Sequence, residues 1–360
     1  MPLWVKIGFG TFFGLIVLFG IIMAWAFWMI RVPKIEFNKQ DPNVAEKLEG
    51  WFQQLHHHKI VPFNGTVYVR SKNEILIRKA YGVDSQDRPL TPESSLRLAS
   101  LSKQFTAIGV LTLVRDDKVD LDEPISTYLP GCNFSASLNS LLNHRSGIPD
   151  VIYQKAPKTD LLSLEGVEAL MCDGSVKAAP AGDYAYSNTG YLIAARAIER
   201  VTGESFETYM QRAVFDPLEM KNSRVWNLVS ERPFPGRAGS FRFVRATEKE
   251  ALNPSNFDGV AGDGGVFSNL DDLENWDRFW SDDRLLPNKL KQRALTPTSG
   301  DYAFGWIRDG DWAWHNGSWL GARTYMARNL KTGDLVILLD NSSNVQTDVI
   351  GTRLRAFLED

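Results

Sequence analysis

Residues 7–30 form a run of 24 positions without a charge, interrupted only by Thr11 and glycines. Wound as a helix, the run would extend ~36 Å at 1.5 Å per residue, enough to cross a bilayer with some tilt. Trp25 and Trp28 stand near its end, where aromatic rings favour the headgroup zone. The run predicts an N-terminal single-pass membrane anchor over residues 1–31. The alternative is a cleaved signal peptide, for which Ala24-Trp25-Ala26 is a poor cleavage site and the apolar core exceeds the usual ~7–15 residues. Gly10 and Gly14 carry the spacing of a helix-packing pair, a pattern common in spans. Lys6 precedes the run and Arg31 and Lys34 follow it, so flanking charge is silent on orientation.

A polar connector over 32–43, with Pro33 and Pro42, leads to a folded body over 44–360. Residues 44–58 place Leu48, Trp51, Phe52 and Leu55 on one face of an amphipathic helix. Residues 65–71 and 75–80 alternate and are rich in branched side chains, with Lys72-Asn73 between them, which predicts a hairpin. From Ser100 through Phe105, Ile108, Val110, Leu111, Leu113 and Val114 the chain is apolar nearly all round, the pattern of a buried central helix. The stretch 116–257 lacks convincing strand pairs and reads as helical and loop-rich, with a helix opening at Asn188 or Thr189 and stopping at Gly203. Strand patterns return as a short one over 312–315 and a hairpin of 323–329 with 334–340, and 347–358 closes as a helix. Strands at both ends with helices between them predict an α+β sheet domain (44–115 and 258–360) carrying a helical insertion (116–257).

Composition changes this picture little. Hydrophobic content of 44% and charged content of 23% are ordinary for a globular chain. Net charge is −3, and the first 34 residues hold three cations and no acid, leaving −6 on the remainder. An acidic body argues against nucleic acid as a partner, because phosphate neutralisation needs clustered Lys and Arg. Two cysteines, Cys132 and Cys172, make a disulfide possible without predicting one.

Ser100 and Lys103 lie three apart in Ser100-Leu101-Ser102-Lys103, on one face at the start of the buried helix. A serine hydroxyl is a weak nucleophile until a base takes its proton, and a desolvated lysine can serve. The helix start adds unpaired N–H groups where an oxyanion would form. A capping serine and a solvated lysine would spell the same four letters, although a buried helix is an awkward place for an idle lysine. Tyr186-Ser187-Asn188 precedes the helix that ends at Gly203. A tyrosine there can relay a proton and an asparagine amide can hold a carbonyl, or the two can simply pack and cap. His315-Asn316-Gly317 falls on the short strand, where Gly317 permits close backbone approach to a ligand.

In this order the three elements resemble the motif set of serine β-lactamases and penicillin-binding proteins. The resemblance is to the branch that contains class C β-lactamases, D-alanyl-D-alanine carboxypeptidases, D-aminopeptidases and related esterases, and it covers about 45–358. Phe63-Asn64-Gly65-Thr66, Leu98-Ala99-Ser100 to Ala107, Leu141-Leu142-Asn143-His144-Arg145-Ser146-Gly147-Ile148-Pro149-Asp150, Gly264-Gly265-Val266-Phe267-Ser268 and Phe304-Gly305-Trp306 carry it further. It implies a serine β-lactamase/DD-peptidase-like α+β fold, with an antiparallel sheet flanked by the terminal helices. It also implies Ser100 as acylated nucleophile, Lys103 as its base or base partner, Tyr186 as proton shuttle and Asn188 as a ligand of the substrate amide. His315 stands where many members have lysine, Gly317 keeps the strand open to substrate, and the N–H groups of Ser100 and Ser318 would form the oxyanion hole.

Lys331-Thr332-Gly333 spells the third motif of that family outright, but it falls at the tip of the 323–340 hairpin, where glycine serves a turn. His315-Asn316-Gly317 is assigned instead. A histidine is mostly neutral at pH 7, so this position lacks the permanent cation that helps recognise a carboxylate. A small-molecule or peptide amide or ester, rather than a penicillin, is the expected substrate. The alternatives are a β-lactamase, a non-catalytic penicillin-binding receptor, and a membrane partner protein working through its anchor. No cofactor and no metal are implied. His56-His57-His58 reads as a solvated helix face, and Trp306, Trp312, Trp314 and Trp319 read mainly as packing, with some able to line the cleft. With the anchor, the catalytic domain is expected outside the cytoplasm, periplasmic or extracellular.

Overall fold

The computed structural model describes residues 31–156, 158, 160–229, 234–245 and 248–360. The expected anchor at 1–31 lies outside them but for Arg31. Among the described residues no helix is long and apolar enough to cross a membrane.

Six antiparallel strands form the main sheet, in the order β2-β1-β11-β10-β9-β8. They are β1 (Gly65–Ser71), β2 (Glu74–Tyr81), β8 (Ile307–Asp309), β9 (Trp312–Trp319), β10 (Ala322–Asn329) and β11 (Leu335–Asp340). The first and last parts of the chain meet where β1 pairs with β11, from Gly65↔Asp340 to Arg70↔Leu335. β11 reads Leu-Val-Ile-Leu-Leu-Asp without polar alternation because both its faces are covered. Val336 and Leu338 join Val67, Val69 and Ala327 beneath α1 (Val44–His56) and α10 (Thr347–Glu359). Leu335, Ile337 and Leu339 point to the opposite face, into the larger core around α2 (Ser102–Arg115). The period of two therefore sorts one strand between two cores.

α1 buries Val44, Leu48, Trp51, Phe52 and Leu55, the stripe its spacing predicts. It ends at His56, two residues earlier than expected. The chain then turns back, and His56 Nδ1 donates to the Phe63 carbonyl at 2.9 Å, so this histidine is partly covered rather than solvated. α2 is buried at every position from Ser102 to Leu113. Packed on it is the helical part, with α3 (Leu138–Leu142), α4 (Ile152–Lys155), α5 (Leu164–Met171), α6 (Asn188–Thr202) and α7 (Phe206–Met210). α8 (Leu270–Phe279) and α9 (Asn288–Leu295) follow. Cys132 and Cys172 are joined in a disulfide.

The stretch 116–257 is not free of strands. β5 (Phe241–Arg245) pairs with β6 (Glu248–Ala251), and β4 (Arg224–Val225) joins a small sheet of order β3-β7-β4 with β3 (Leu96–Arg97) and β7 (Val266–Ser268). The β5/β6 hairpin is mostly exposed and rich in Arg, Lys and Glu, and only the short Phe241-Arg242-Phe243 stretch alternates, too little to mark a strand pair in sequence. β9 also runs four residues beyond the expected 312–315. Its pairing with β10 continues through Gly317↔Thr324 and Ser318↔Arg323 to Trp319↔Ala322.

Candidate active site

β8 pairs only with the first part of β9, from Asp309↔Trp312 to Ile307↔Trp314. His315 to Trp319 therefore form a free strand edge, and the turn bearing Ser100 lies against it. A Cβ built on Gly317 would lie 2.9 Å from the Ser100 nitrogen and 2.6 Å from the Leu98 carbonyl oxygen. Only glycine permits that approach. Thr324 Oγ1 reinforces it by donating to the Leu98 carbonyl at 2.8 Å. Ser100 itself sits in a single 3-10 turn, Ala99–Leu101, rather than on the first residue of the α-helix. Ala99 has φ of 50°, a conformation costing a non-glycine residue about 1–3 kcal/mol, held here by the packed surroundings. Ser100 and the strand residues His315 to Trp319 thus line one cavity of about 430 Å³, a volume suited to a small ligand.

Lys103 is fully buried one turn along. Its Nζ lies 2.8 Å from Asn188 Oδ1, 2.8 Å from the Asp263 carbonyl oxygen and 3.4 Å from Ser100 Oγ. Two of its N–H groups are thereby spent on fixed acceptors. What remains, a lone pair or a third N–H, faces the serine hydroxyl. The rings of Tyr186 and Tyr191 stand 4.9 and 5.5 Å from Nζ. Ser102, the other serine of the motif, is turned away and accepts from the Val266 N–H at 3.1 Å.

Asn188 is free for this role because Ser187 is the cap of α6, accepting from the Gly190 N–H at 3.1 Å. The Asn188 amide is fixed at both ends, since Nδ2 donates to Asp150 Oδ2 at 3.0 Å. Asp150 is held in turn by the N–H and hydroxyl of Thr189. Tyr186 lies on the cavity wall, exposed at the rim. Its segment is stitched to the loop after α3: the Ala185 N–H reaches the His144 carbonyl and the Ser187 N–H reaches His144 Nδ1 at 3.1 Å. That bond puts the proton of His144 on Nε2. Burial pushes this histidine well below its ordinary range, and nearby Lys103 and His315 push the same way. Its ring packs 4.2 Å from that of Tyr186.

His315 is buried and donates from Nδ1 to the Asn316 carbonyl, so Nε2 accepts from the Tyr302 hydroxyl at 3.1 Å. Burial lowers its pKa to about 4, the Asn316 bond opposing and Lys103 assisting. Of the four tryptophans near this motif, Trp306 and Trp312 are buried packing residues and Trp314 stacks on Tyr325. Trp319 lines the cavity and donates to Asp258 Oδ1 at 3.1 Å. Lys331, Thr332 and Gly333 form the β10–β11 turn, with both preceding N–H groups bonded to Asn329 Oδ1 and Gly333 at φ of 78°.

The structure thus brings Ser100, Lys103, Tyr186, Asn188, His315, Gly317 and Ser318 together around one cavity. It adds residues that motif reading passed over: Asp150, Tyr153, Asp258, Asp263 and Tyr302. Asp150 closes one quoted landmark and Asp263 adjoins another, but nothing local marks either as a site residue.

An antiparallel sheet with a helical part, and a serine and buried lysine meeting where they join, define a class: the serine hydrolases with this fold. The chain belongs to the beta-lactamase family, whose profile matches residues 60–359. Penicillin-binding protein 4* of Bacillus subtilis strain 168 is 31% identical over 310 residues, covering 78% of this chain and 68% of that protein. A D-aminopeptidase of Gluconobacter oxydans strain 621H is 28% identical over 282 residues, 72% of this chain and 52% of the relative, so the chain spans about half of it. Among solved structures, FmtA from Staphylococcus aureus superposes with a TM-score of 0.75 at 22% identity over 91% of this chain and 92% of that one. D-amino acid amidase from Ochrobactrum anthropi SV3 does so at 0.71 and 24% over 86% and 97%. These two likenesses show the fold.

Proposed function

We propose that this protein cleaves an amide or ester through an acyl-enzyme on Ser100, with a D-peptidase, D-aminopeptidase-like or esterase activity. The observation that carries the reading is the buried Lys103, aimed at Ser100 Oγ by Asn188 and the Asp263 carbonyl. Ser100 Oγ forms a bond to the substrate carbonyl carbon. Its proton passes into the Lys103–Tyr186 pair and on to the departing amine or alcohol as the C–N or C–O bond breaks. The N–H groups of Ser100 and Ser318 hold the oxyanion. Water then adds to the acyl ester, retracing the proton path and releasing the acid. Asn188 keeps Lys103 in place and offers its remaining Nδ2 hydrogen to the substrate.

A neutral His315 favours this reading over a β-lactamase, because the edge strand then presents no ammonium to a penicillin carboxylate. The D-aminopeptidase relative points the same way. Residues 7–30 anchor the chain, and the catalytic domain sits on the oxidising side of the membrane, where the Cys132–Cys172 bond persists. The test is a turnover panel of short acyl p-nitrophenyl esters, D-amino acid amides, a D-Ala-D-Ala peptide and a chromogenic cephalosporin. At least one of the first three should exceed the cephalosporin tenfold in kcat/KM. Fastest turnover of the cephalosporin overturns the substrate reading, and no turnover of any of them overturns the enzyme reading.

A further inference from the structure

Resting on the acyl-enzyme reading above, we infer that Asp263 is an ammonium receptor, making the preferred substrate one whose acyl group carries a free amine. The carboxylate stands on the wall of the cavity that Ser100 also lines. Lys103 Nζ touches both residues, 3.4 Å from Ser100 Oγ and 2.8 Å from the Asp263 backbone oxygen, so the two share one wall of the cavity beside the nucleophile.

The neighbouring carboxylate is already spent. Asp258 is paired with Arg97 at 2.9 Å and also accepts from Trp319. Asp263 has no ion pair among the described residues: Lys103 Nζ bonds its backbone carbonyl, and Lys103 and Arg97 act on its carboxylate only across space. One carboxylate oxygen accepts from the Tyr153 hydroxyl at 2.6 Å, and the other has no side-chain partner among the described residues. Tyr153 reports the field at this spot. Burial raises its hydroxyl well above the ordinary range, and Asp263, Asp150 and Asp258 all push it further. Burial likewise raises Asp263, with Lys103 and the Tyr153 hydroxyl opposing, and a bound cation would relieve what remains of that cost. The walls suit a cation too. Tyr153 lies between Phe257 and Trp319, with ring centroids 5.1 and 5.4 Å away, and all three line the cavity. Aromatic faces beside a carboxylate favour an ammonium by charge and quadrupole together.

The test compares kcat/KM for D-alanine p-nitroanilide and its N-acetyl derivative in wild type, Asp263→Asn and Tyr153→Phe. Wild type should prefer the free amine at least 100-fold. Asp263→Asn should collapse that ratio to within about fivefold of unity, whereas Tyr153→Phe, which keeps the carboxylate, should retain most of it. A ratio unchanged in Asp263→Asn, or a wild type indifferent to acetylation, overturns the inference. Fluorophosphonate labelling of Ser100 in the same samples separates the failures. Label with an unchanged ratio sinks this inference alone, and absence of label sinks the acyl-enzyme reading beneath it.

Discussion

Gly317→Ala is the smallest change that tests whether the edge of β9 and the Ser100 turn act as one device. The added Cβ would meet Leu98 O at 2.6 Å, Ser100 N at 2.9 Å and Thr324 Oγ1 at 2.5 Å, where ordinary contact begins at 3.4 Å. The threonine hydroxyl can rotate away at the expense of its bond to Leu98. The two backbone atoms cannot, so strand and turn must separate by roughly half an ångström or more in an interior that packs like a crystal. That displacement moves the Ser100 N–H relative to the Ser318 N–H, the two proposed oxyanion donors. A shift of about 1 Å in a reacting group costs on the order of 100-fold, and one lost oxyanion donor costs about 100- to 1,000-fold. Overpacking adds about 1–3 kcal/mol of destabilisation. The assay is steady-state hydrolysis of the best ester, with thermal melting alongside and Gly50→Ala, in α1 with nothing within 4 Å, as comparator. The account expects kcat to fall about 100-fold in Gly317→Ala and stay unchanged in Gly50→Ala. A folded Gly317→Ala enzyme within threefold of wild type would refute the claim that this contact sets the catalytic geometry.

Asp277 accepts from Arg70 at 2.5 Å and Arg328 at 2.9 Å, both largely buried, so Asp277→Ala strands two cations and should cost about 3–5 kcal/mol by denaturant unfolding. Since Asp277 lies outside the cavity, the folded fraction should label with a fluorophosphonate at the wild-type rate. His315 has a folded pKa of about 4, below the ~6.5 of an unfolded histidine, so its neutral form contributes stability that is lost as pH falls from 6.5 toward 4. The stability gap between wild type and His315→Gln should therefore narrow over that window, by at most about 3 kcal/mol, while Asp340 and all shared groups cancel. A gap independent of pH contradicts a neutral His315. Opening the Cys132–Cys172 bond, 40 residues apart, should cost about 3–4 kcal/mol in melting experiments with and without reductant, and an unchanged midpoint contradicts a bonded pair.

What could be read along the chain was whatever repeats within a few residues. The stripe of α1, the all-round burial of α2 and the β10–β11 hairpin are local periodicities, and each lies within two residues of where its spacing placed it. The Lys331-Thr332-Gly333 turn was separable from the site for the same reason. The β5/β6 hairpin stayed hidden because its alternation is confined to Phe241-Arg242-Phe243 and the partner strand is charged and exposed. Asp263 stayed hidden because its meaning comes from Tyr153 and Lys103, 110 and 160 residues away. Ser187 rather than Asn188 caps α6, a choice of one residue that frees the asparagine for Lys103 and that either spelling would have allowed. The 7–30 span lies outside the described residues, and a reporter fused after Asp360 would show on which side of a membrane the domain lies.

The most direct test of the central claim is the intact mass of the protein after exposure to a fluorophosphonate, followed by peptide mapping. The account predicts one adduct per chain, placed on Ser100, lost in Ser100→Ala and slowed at least 100-fold in Lys103→Ala. An adduct that persists in Ser100→Ala, or maps to Ser102 or elsewhere, would contradict it.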